Sequence, residues 1–578
     1  MNLSISLEPI SSIDVSLSDI SYLQSYNPIY SLFSERGDIS LNFIGLNNLF
    51  DMIDLETIQN KKTREIIKKP VFIKYSPLLD PLRYLLGKYD EYGDQILKLP
   101  NGSESGSEFT KLTQIHNSSY VDYFFCYLSS RLYHEFGFIH GIDYYGSYLG
   151  IQENFKMNII DDIEHLQSHP IFFERANKTY TFDCSDNAYF FMNKGLGSRA
   201  NKNKIKISNS LLNISIENRD DFDSVSEVPV DTEQDVEQIY ERESRHSKTI
   251  STNTSNNSLV NYSSEEDEDE EDENEEDEDE EHEDEEDENE EDEDEEHEDE
   301  EEEDEDEEDE EEDDEEEDEE EEKCMISIKN FPCQLICLEK CDGTLDELFC
   351  KDAINMEIGA SMLFQVIMTL IMYQNVFNFT HNDLHTNNIM YVHTDLTHLV
   401  YHYRNKTYKV PTYGKIFKVI DFGRSIYETP AFVNKESQMF CSDSFAKNGD
   451  GFSQYNFEPF YNPSKPVVLP NKSFDLCRLA CSIYDFIIDD ELFSKMDSFQ
   501  QLIYTWCLDD CGKNVLYKKS GEERYPNFKL YKMIARSVHN HVPENQLDAP
   551  LFRGFLMNKK DNIHGKKGEK IYEIHLNL

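Results

Sequence analysis

The sequence predicts an α+β fold, built as one large two-lobed domain or as two to three smaller ones, and interrupted by a long insertion with no core of its own. Three observations lead there. Strand-like apolar runs and helical periodicity alternate on both sides of the middle of the chain. The net charge of −66, from 119 acidic and 53 basic side chains, is concentrated in one block, Glu265 to Glu322, where only Asn274, His282, Asn289 and His297 are not acidic. Without its 54 carboxylates the other 520 residues hold 65 acids against 53 bases, a net of −12. That remainder is an ordinary, mildly acidic soluble protein, large enough at about 100–200 residues per domain for the counts given.

In chain order, Val71-Phe72-Ile73-Lys74 predicts a short strand. Tyr120 to Phe136 predicts a helix with Val121, Phe124, Phe125, Leu128 and Leu132 on one face, and Phe138-Ile139-His140-Gly141-Ile142 a strand after it. From Asn193 the chain turns rich in Asn, Ser, Lys and Asp and runs into the acid block. Residues 193–323 are predicted to be disordered, because so little apolar surface cannot offset the entropy of ordering them. Asn274 and His282 recur as Asn289 and His297, a 15-residue period. Slippage duplication explains this better than a solenoid, whose repeats need apolar residues to stack. Structure resumes at Ile326 with the strand Gln334 to Leu338, then a helix from Ile354 to Phe377 that is apolar on nearly all sides and so expected inside a core.

Composition excludes a collagen, a coiled coil and a small disulfide scaffold. Met1-Asn2-Leu3-Ser4 opens no signal peptide, and the apolar run Met362 to Phe379, broken by Gln365, Gln374 and Asn375, is too short to predict a membrane span. The 12 cysteines are dispersed, as reduced thiols of a cytosolic or nuclear protein would be. Cys333, Cys337 and Cys341 would share one face of a strand, but without CxxC pairs they predict no zinc site.

The chemistry is carried by His381-Asn382-Asp383-Leu384-His385-Thr386-Asn387-Asn388, followed by the strand Ile389 to Val392, and then by Phe417-Lys418-Val419-Ile420 running into Asp421-Phe422-Gly423. Each piece is weak alone; HxDLxxxN, a strand and DFG in this order are together a strong signal.

These motifs resemble the eukaryotic-type protein kinase superfamily, most closely the protein kinases of giant DNA viruses of the mimivirus kind, with haspin-like features around the catalytic loop. The resemblance implies a bilobal protein-kinase-like fold with a β-rich N-lobe, an α-helical C-lobe and the disordered acidic insertion inside the N-lobe. It divides the chain into an extension (1–64), a first N-lobe part (65–192), the insertion (193–323), the N-lobe end and hinge (324–341) and the C-lobe (342–578). It implies that Asp383 accepts the proton of the attacking hydroxyl and that Asn388 and Asp421 hold magnesium. Lys74 would grip the phosphates of ATP, Glu339 and Cys341 would stand at the adenine-binding hinge, and Asp475 would brace the catalytic loop. Lys74 has no obvious helical partner, since Asp122 and Glu135 both read as solvated face residues.

The sequence also departs from the family. No GxGxxG precedes Lys74, Gly37 and Gly45 being too far apart to form that loop; Asn382 replaces the usual Arg, and His385 stands where serine/threonine kinases carry Lys. For APE there is only Phe457-Glu458-Pro459. The implied function is an ATP- and Mg-dependent kinase acting on a protein hydroxyl, of the Ser/Thr type, with basic proteins among its candidate substrates. The alternative is a pseudokinase or binding module that recruits basic proteins through the acid tract. A small-molecule phosphotransferase also uses HxDLHxxN-like loops, but usually departs from DFG. No nucleic-acid or membrane partner is expected, and the location is the host cytoplasm, nucleus or virion.

Overall fold

The computed structural model describes residues 3–10, 19–33, 44–101, 109–182, 324–429, 437–447, 449–488, 495–558, 563 and 568–576. The predicted insertion, 193–323, lies outside them, as does Gly37. The architecture is mixed α and β. Its largest sheet is antiparallel, in the order Ile20–Gln24, Tyr144–Asn158, Met325–Glu339, Val71–Pro77, with Tyr180–Phe182 also paired to Met325–Glu339. From Phe331 to Glu339 every residue is buried, which is why this strand reads as an unbroken apolar run instead of alternating. Its register sets Ile336 opposite Lys74 and Ile326 opposite Phe182. The chain therefore leaves and re-enters one sheet on paired strands, on either side of the acidic insertion.

Helix Ser118–Phe136 packs on this sheet, with Asn117 as its N-cap accepting from the Ser119 N–H. It ends at Gly137, whose φ of 65° is the left-handed conformation a helix C-cap favours. The strand expected at 138–142 does not form. Those residues turn tightly, a Cβ on Gly141 would meet the Ser129 carbonyl at 2.5 Å, and the strand begins only at Tyr144. The turn buries His140, which bonds the Phe417 carbonyl through Nδ1 (2.9 Å) and the Tyr401 hydroxyl through Nε2 (2.7 Å).

The later half holds more helix than strand, with helices Leu345–Cys350, Met356–Phe377, Phe474–Ile487, Ser498–Trp506 and Lys529–Ser537. Among the described residues Met356–Phe377 is long and apolar enough to cross a membrane, but it is buried continuously from Gly359 to Gln374, as a core helix is. Phe125 stands at its junction with helix Ser118–Phe136, with ring centroids of Tyr373, Phe379, Phe422 and Tyr427 at 5.0, 4.4, 4.6 and 4.8 Å. Such aromatic pairs add about 0.5–1.5 kcal/mol each beyond area burial. Strands Ile389–His393 and Lys415–Val419 pair with Ile389 opposite Val419, which sets the ends of the two sequence motifs side by side. A separate sheet joins the hairpin His398–Tyr403/Lys406–Pro411 to Ile571–Leu576, which runs parallel to His398–Tyr403.

Candidate functional site

The loop that follows helix Met356–Phe377 is stitched down from three sides. Buried Asp475, in the first turn of helix Phe474–Ile487, accepts the backbone N–H of His381 at 3.0 and 2.9 Å and of Asn382 at 3.0 Å. His381 Nε2 lies 2.9 Å from the Ile420 carbonyl, and the Ile420 N–H donates to the Asn388 carbonyl at 3.0 Å. The two motifs thus form one unit. Asn382 takes a left-handed φ of 66° and is fully buried, donating to the Arg424 carbonyl and accepting from the Tyr455 hydroxyl.

Within the loop Asn388 Nδ2 donates to the Asp383 carbonyl (2.9 Å) and meets His385 Nε2 (3.0 Å). Burial, reinforced by the charge of Arg478, lowers the His385 pKa to about 4, so its imidazole is neutral at pH 7. Asp383 accepts the Tyr531 hydroxyl at 2.8 Å on Oδ1. That hydroxyl in turn accepts from Arg478 Nε at 2.9 Å, and the guanidinium groups of Arg478 and Arg424 lie 5.0 and 5.2 Å from the Tyr531 ring centroid. Burial works to raise the Asp383 pKa, but Arg424, Arg478 and the Tyr531 hydrogen bond outweigh it and hold the carboxylate below its ordinary value. The cation that the loop lacks at His385 comes from two arginines distant in sequence.

Lys74 Nζ stands 2.6 Å from Asp122 Oδ2 and 2.8 Å from Asp421 Oδ1. Asp122 is therefore not a solvated face residue: its side chain is 1 % exposed, and its other oxygen accepts the Phe422 N–H at 2.8 Å. It reaches Lys74 because the helix start is drawn onto the strand, with Ser119 Oγ bonded to Ser76 Oγ (2.9 Å) and to the Pro77 carbonyl (2.6 Å). Glu135 instead pairs with Arg131 one turn away. Burial opposes the Lys74 charge, yet Asp122 and Asp421 together raise its pKa. Asp421 also sits at positive φ, 63°, and although burial works against ionisation, Lys74 and then His381 bring its pKa down to about 2. Its side chain remains 47 % exposed, so an ionised, accessible carboxylate faces solvent beside a charged lysine.

Glu339 is placed differently. Its side chain, 8 % exposed, pairs with Lys418 and lies 3.7 Å from Lys69, while its Oε1 accepts the Asp143 N–H at 2.9 Å. Its carboxylate is thus committed to the fold, and the Glu339 and Lys340 N–H groups donate to the Asp143 and Pro70 carbonyls. Cys341 is half-buried, and burial pushes its thiol up to about 12. Sequence reasoning brought Asp383, Asn388, Asp421 and Lys74 forward, weighed Asp122 only to set it aside as a solvated face residue, and missed Tyr531, Arg424 and Arg478. For Asp122 there was a signal: it follows Val121 and precedes Phe125 on a helix with little polar face.

No protein-family model matches the chain. The chain is similar to a protein of Acanthamoeba polyphaga mimivirus named "Putative serine/threonine-protein kinase R301", at 27% identity over 173 residues, 26% of this chain and 40% of the relative. It thus spans about two fifths of the length of the curated relative it matches, and the likeness points to a kinase-like relationship for that part.

Proposed function

We propose that the protein is a bilobal protein kinase that transfers the γ-phosphate of ATP to a protein hydroxyl, of the Ser/Thr type, with magnesium. One observation carries the reading: Lys74 is held between Asp122 and the accessible, ionised Asp421, directly beside a braced loop that presents Asp383. The donor set suits magnesium, which prefers hard oxygen ligands. Asp421 offers a carboxylate of depressed pKa, and Asn388, whose amide nitrogen is engaged inside the loop, offers its carboxamide oxygen. Bound magnesium would neutralise phosphate charge there. Lys74 then orients the nucleotide's phosphates, and Asp122 keeps that lysine in place. Asp383 accepts the proton of the attacking hydroxyl, and Tyr531 with Arg478 and Arg424 keeps it ionised and oriented for that role. Phosphoryl transfer asks little covalent work of a protein, so positioning and charge account for most of the rate. Adenine would then meet this segment at Cys341, since the Glu339 and Lys340 N–H groups already donate to the Asp143 and Pro70 carbonyls.

A binding module without transfer is the second reading. It is favoured by the hairpin Phe50–Met52/Thr57–Asn60, which turns through Ile53, Asp54, Leu55 and Glu56 with no glycine that would let its backbone close on phosphates. Incubation with labelled ATP and magnesium, with and without a basic protein such as histone, separates the two. Transfer by the wild type that is lost in Asp383→Ala is expected. Absence of transfer from both supports the binding module.

A further inference from the structure

We propose a divalent transition-metal site, of the kind zinc occupies, on the sheet formed by His398–Tyr403 and Ile571–Leu576, built from His402, Glu573 and His575. The register of these parallel strands sets His402 opposite His575, and Glu573, two residues earlier, shares the face of His575. The topology therefore gathers two imidazoles and a carboxylate from chain segments more than 150 residues apart, and their donor atoms all lie within 4.8 Å of one another. Among the described residues this is the group of three or more His, Cys, Asp or Glu side chains so gathered.

The geometry is close to what a metal needs. His402 Nε2 is 3.0 Å and His575 Nε2 4.0 Å from the same oxygen, Glu573 Oε2. Ligands about 2.0–2.2 Å from a tetrahedral zinc stand roughly 3.3–3.5 Å from each other. Reaching that spacing takes side-chain rotations, which the partial exposure of all three groups permits. The rings of His402 and His575 lie parallel, 4.4 Å apart at 6°, so at least one ring turns about its side-chain bonds for both lone pairs to meet one ion. His402 Nδ1 lies 3.3 Å from Thr407 Oγ1 on the neighbouring strand, an outer partner of the type that fixes a ligating imidazole's tautomer and leaves Nε2 for the metal. Two nitrogens and one carboxylate favour zinc-like ions over magnesium or calcium, and the fourth position is open to water.

Such an ion would clasp Ile571–Leu576 to His398–Tyr403. The clasped strand matters to the rest of the fold, because Tyr572 donates to the Gly137 carbonyl at the end of the helix that carries Asp122. This site is independent of phosphoryl transfer and does not rest on the function proposed above.

Zinc titration of the full chain by calorimetry, in excess magnesium to occupy the acid tract's carboxylates, tests it. Wild type should take up one more tightly bound zinc than His402→Ala or His575→Ala, and zinc should raise the melting temperature of the wild type but of neither variant. Glu573→Gln, which keeps the side chain's shape, should weaken uptake by at least about tenfold. Copper(II) should show nitrogen coupling in its EPR spectrum that both histidine variants reduce. Equal zinc stoichiometry and equal thermal response in wild type and both histidine variants would overturn the proposal.

Discussion

Two clusters in this protein bury lysines against carboxylates, and they differ in one respect that separates structure from chemistry. Lys418, 3 % exposed, is bonded to Glu339 and to the Gly141 carbonyl; Asp143 beside them receives His134 Nε2 at 2.7 Å, Ser130 Oγ at 3.1 Å and Lys69 Nζ at 3.2 Å. Burial would raise the Asp143 pKa, but His134, Lys69 and Lys418 bring it down to about 2. The carboxylates here are closed off, Asp143 being 2 % and Glu339 8 % exposed, and it is Lys69 and His134 that form the rim. Lys74, Asp122 and Asp421 likewise set a lysine against carboxylates, but there one of the acids, Asp421, is 47 % exposed. An ion cluster with an open acidic corner can take a ligand, whereas a closed one can only hold the chain together. By that criterion the side chain of Glu339 belongs to the architecture, although hinge motifs in the sequence had pointed to it.

The contrast can be broken most severely at the open site. Asp421→Asn or Asp383→Ala should lower phosphotransfer by about 10²–10⁴ with little change in melting temperature. Wild-type turnover by Asp421→Asn at saturating magnesium would contradict its assignment. In the closed cluster the effect should fall on stability: Lys418→Met strands Glu339 and should cost about 3–5 kcal/mol in denaturant unfolding.

Beside that cluster, burial lowers the His140 pKa to about 4. A depressed histidine is neutral in the fold while the unfolded chain binds a proton below about 6.5, so its contribution is present above that pH and is lost as pH falls towards 4. At about 1.4 kcal/mol per unit this amounts to about 3 kcal/mol, and His140→Gln should flatten the stability profile between pH 6.5 and 4. Tyr531→Phe, which keeps the ring between the arginines but removes the hydrogen bond to Asp383, should reduce kcat about tenfold and shift the acidic limb of its pH profile upward. An unchanged limb would confine Tyr531 to packing. The smallest effect is expected for replacing residues 193–323 with a short Gly/Ser linker. The segment enters and leaves one sheet on paired strands, and each doubling of a loop's length costs only about 0.6 kcal/mol. Nucleotide binding should persist, with any loss confined to basic substrates and mimicked by added salt.

What the sequence made legible was local. The loop of Asp383 and Asn388, the DFG run and the strands and helix around them follow from short motifs and periodicity. The partners of those residues were hidden, because nothing in spacing links Asp383 to Tyr531, or Lys74 to an aspartate in the second turn of a helix rather than an acid at mid-helix. The strand expected at 138–142 failed because apolar alternation says nothing of a left-handed cap at Gly137 or of the close contact at Gly141. Tertiary packing decided both.

The difference between the two clusters is tested most directly by magnesium-ATP binding to Lys74→Met and Lys418→Met, measured by calorimetry alongside thermal unfolding. Lys74→Met, which strands the buried Asp122, should melt below the wild type and lose most of its affinity for magnesium-ATP even while folded; Lys418→Met should also melt markedly lower yet bind the nucleotide while folded. Wild-type affinity in Lys74→Met, or an unchanged melting temperature in Lys418→Met, would contradict the account.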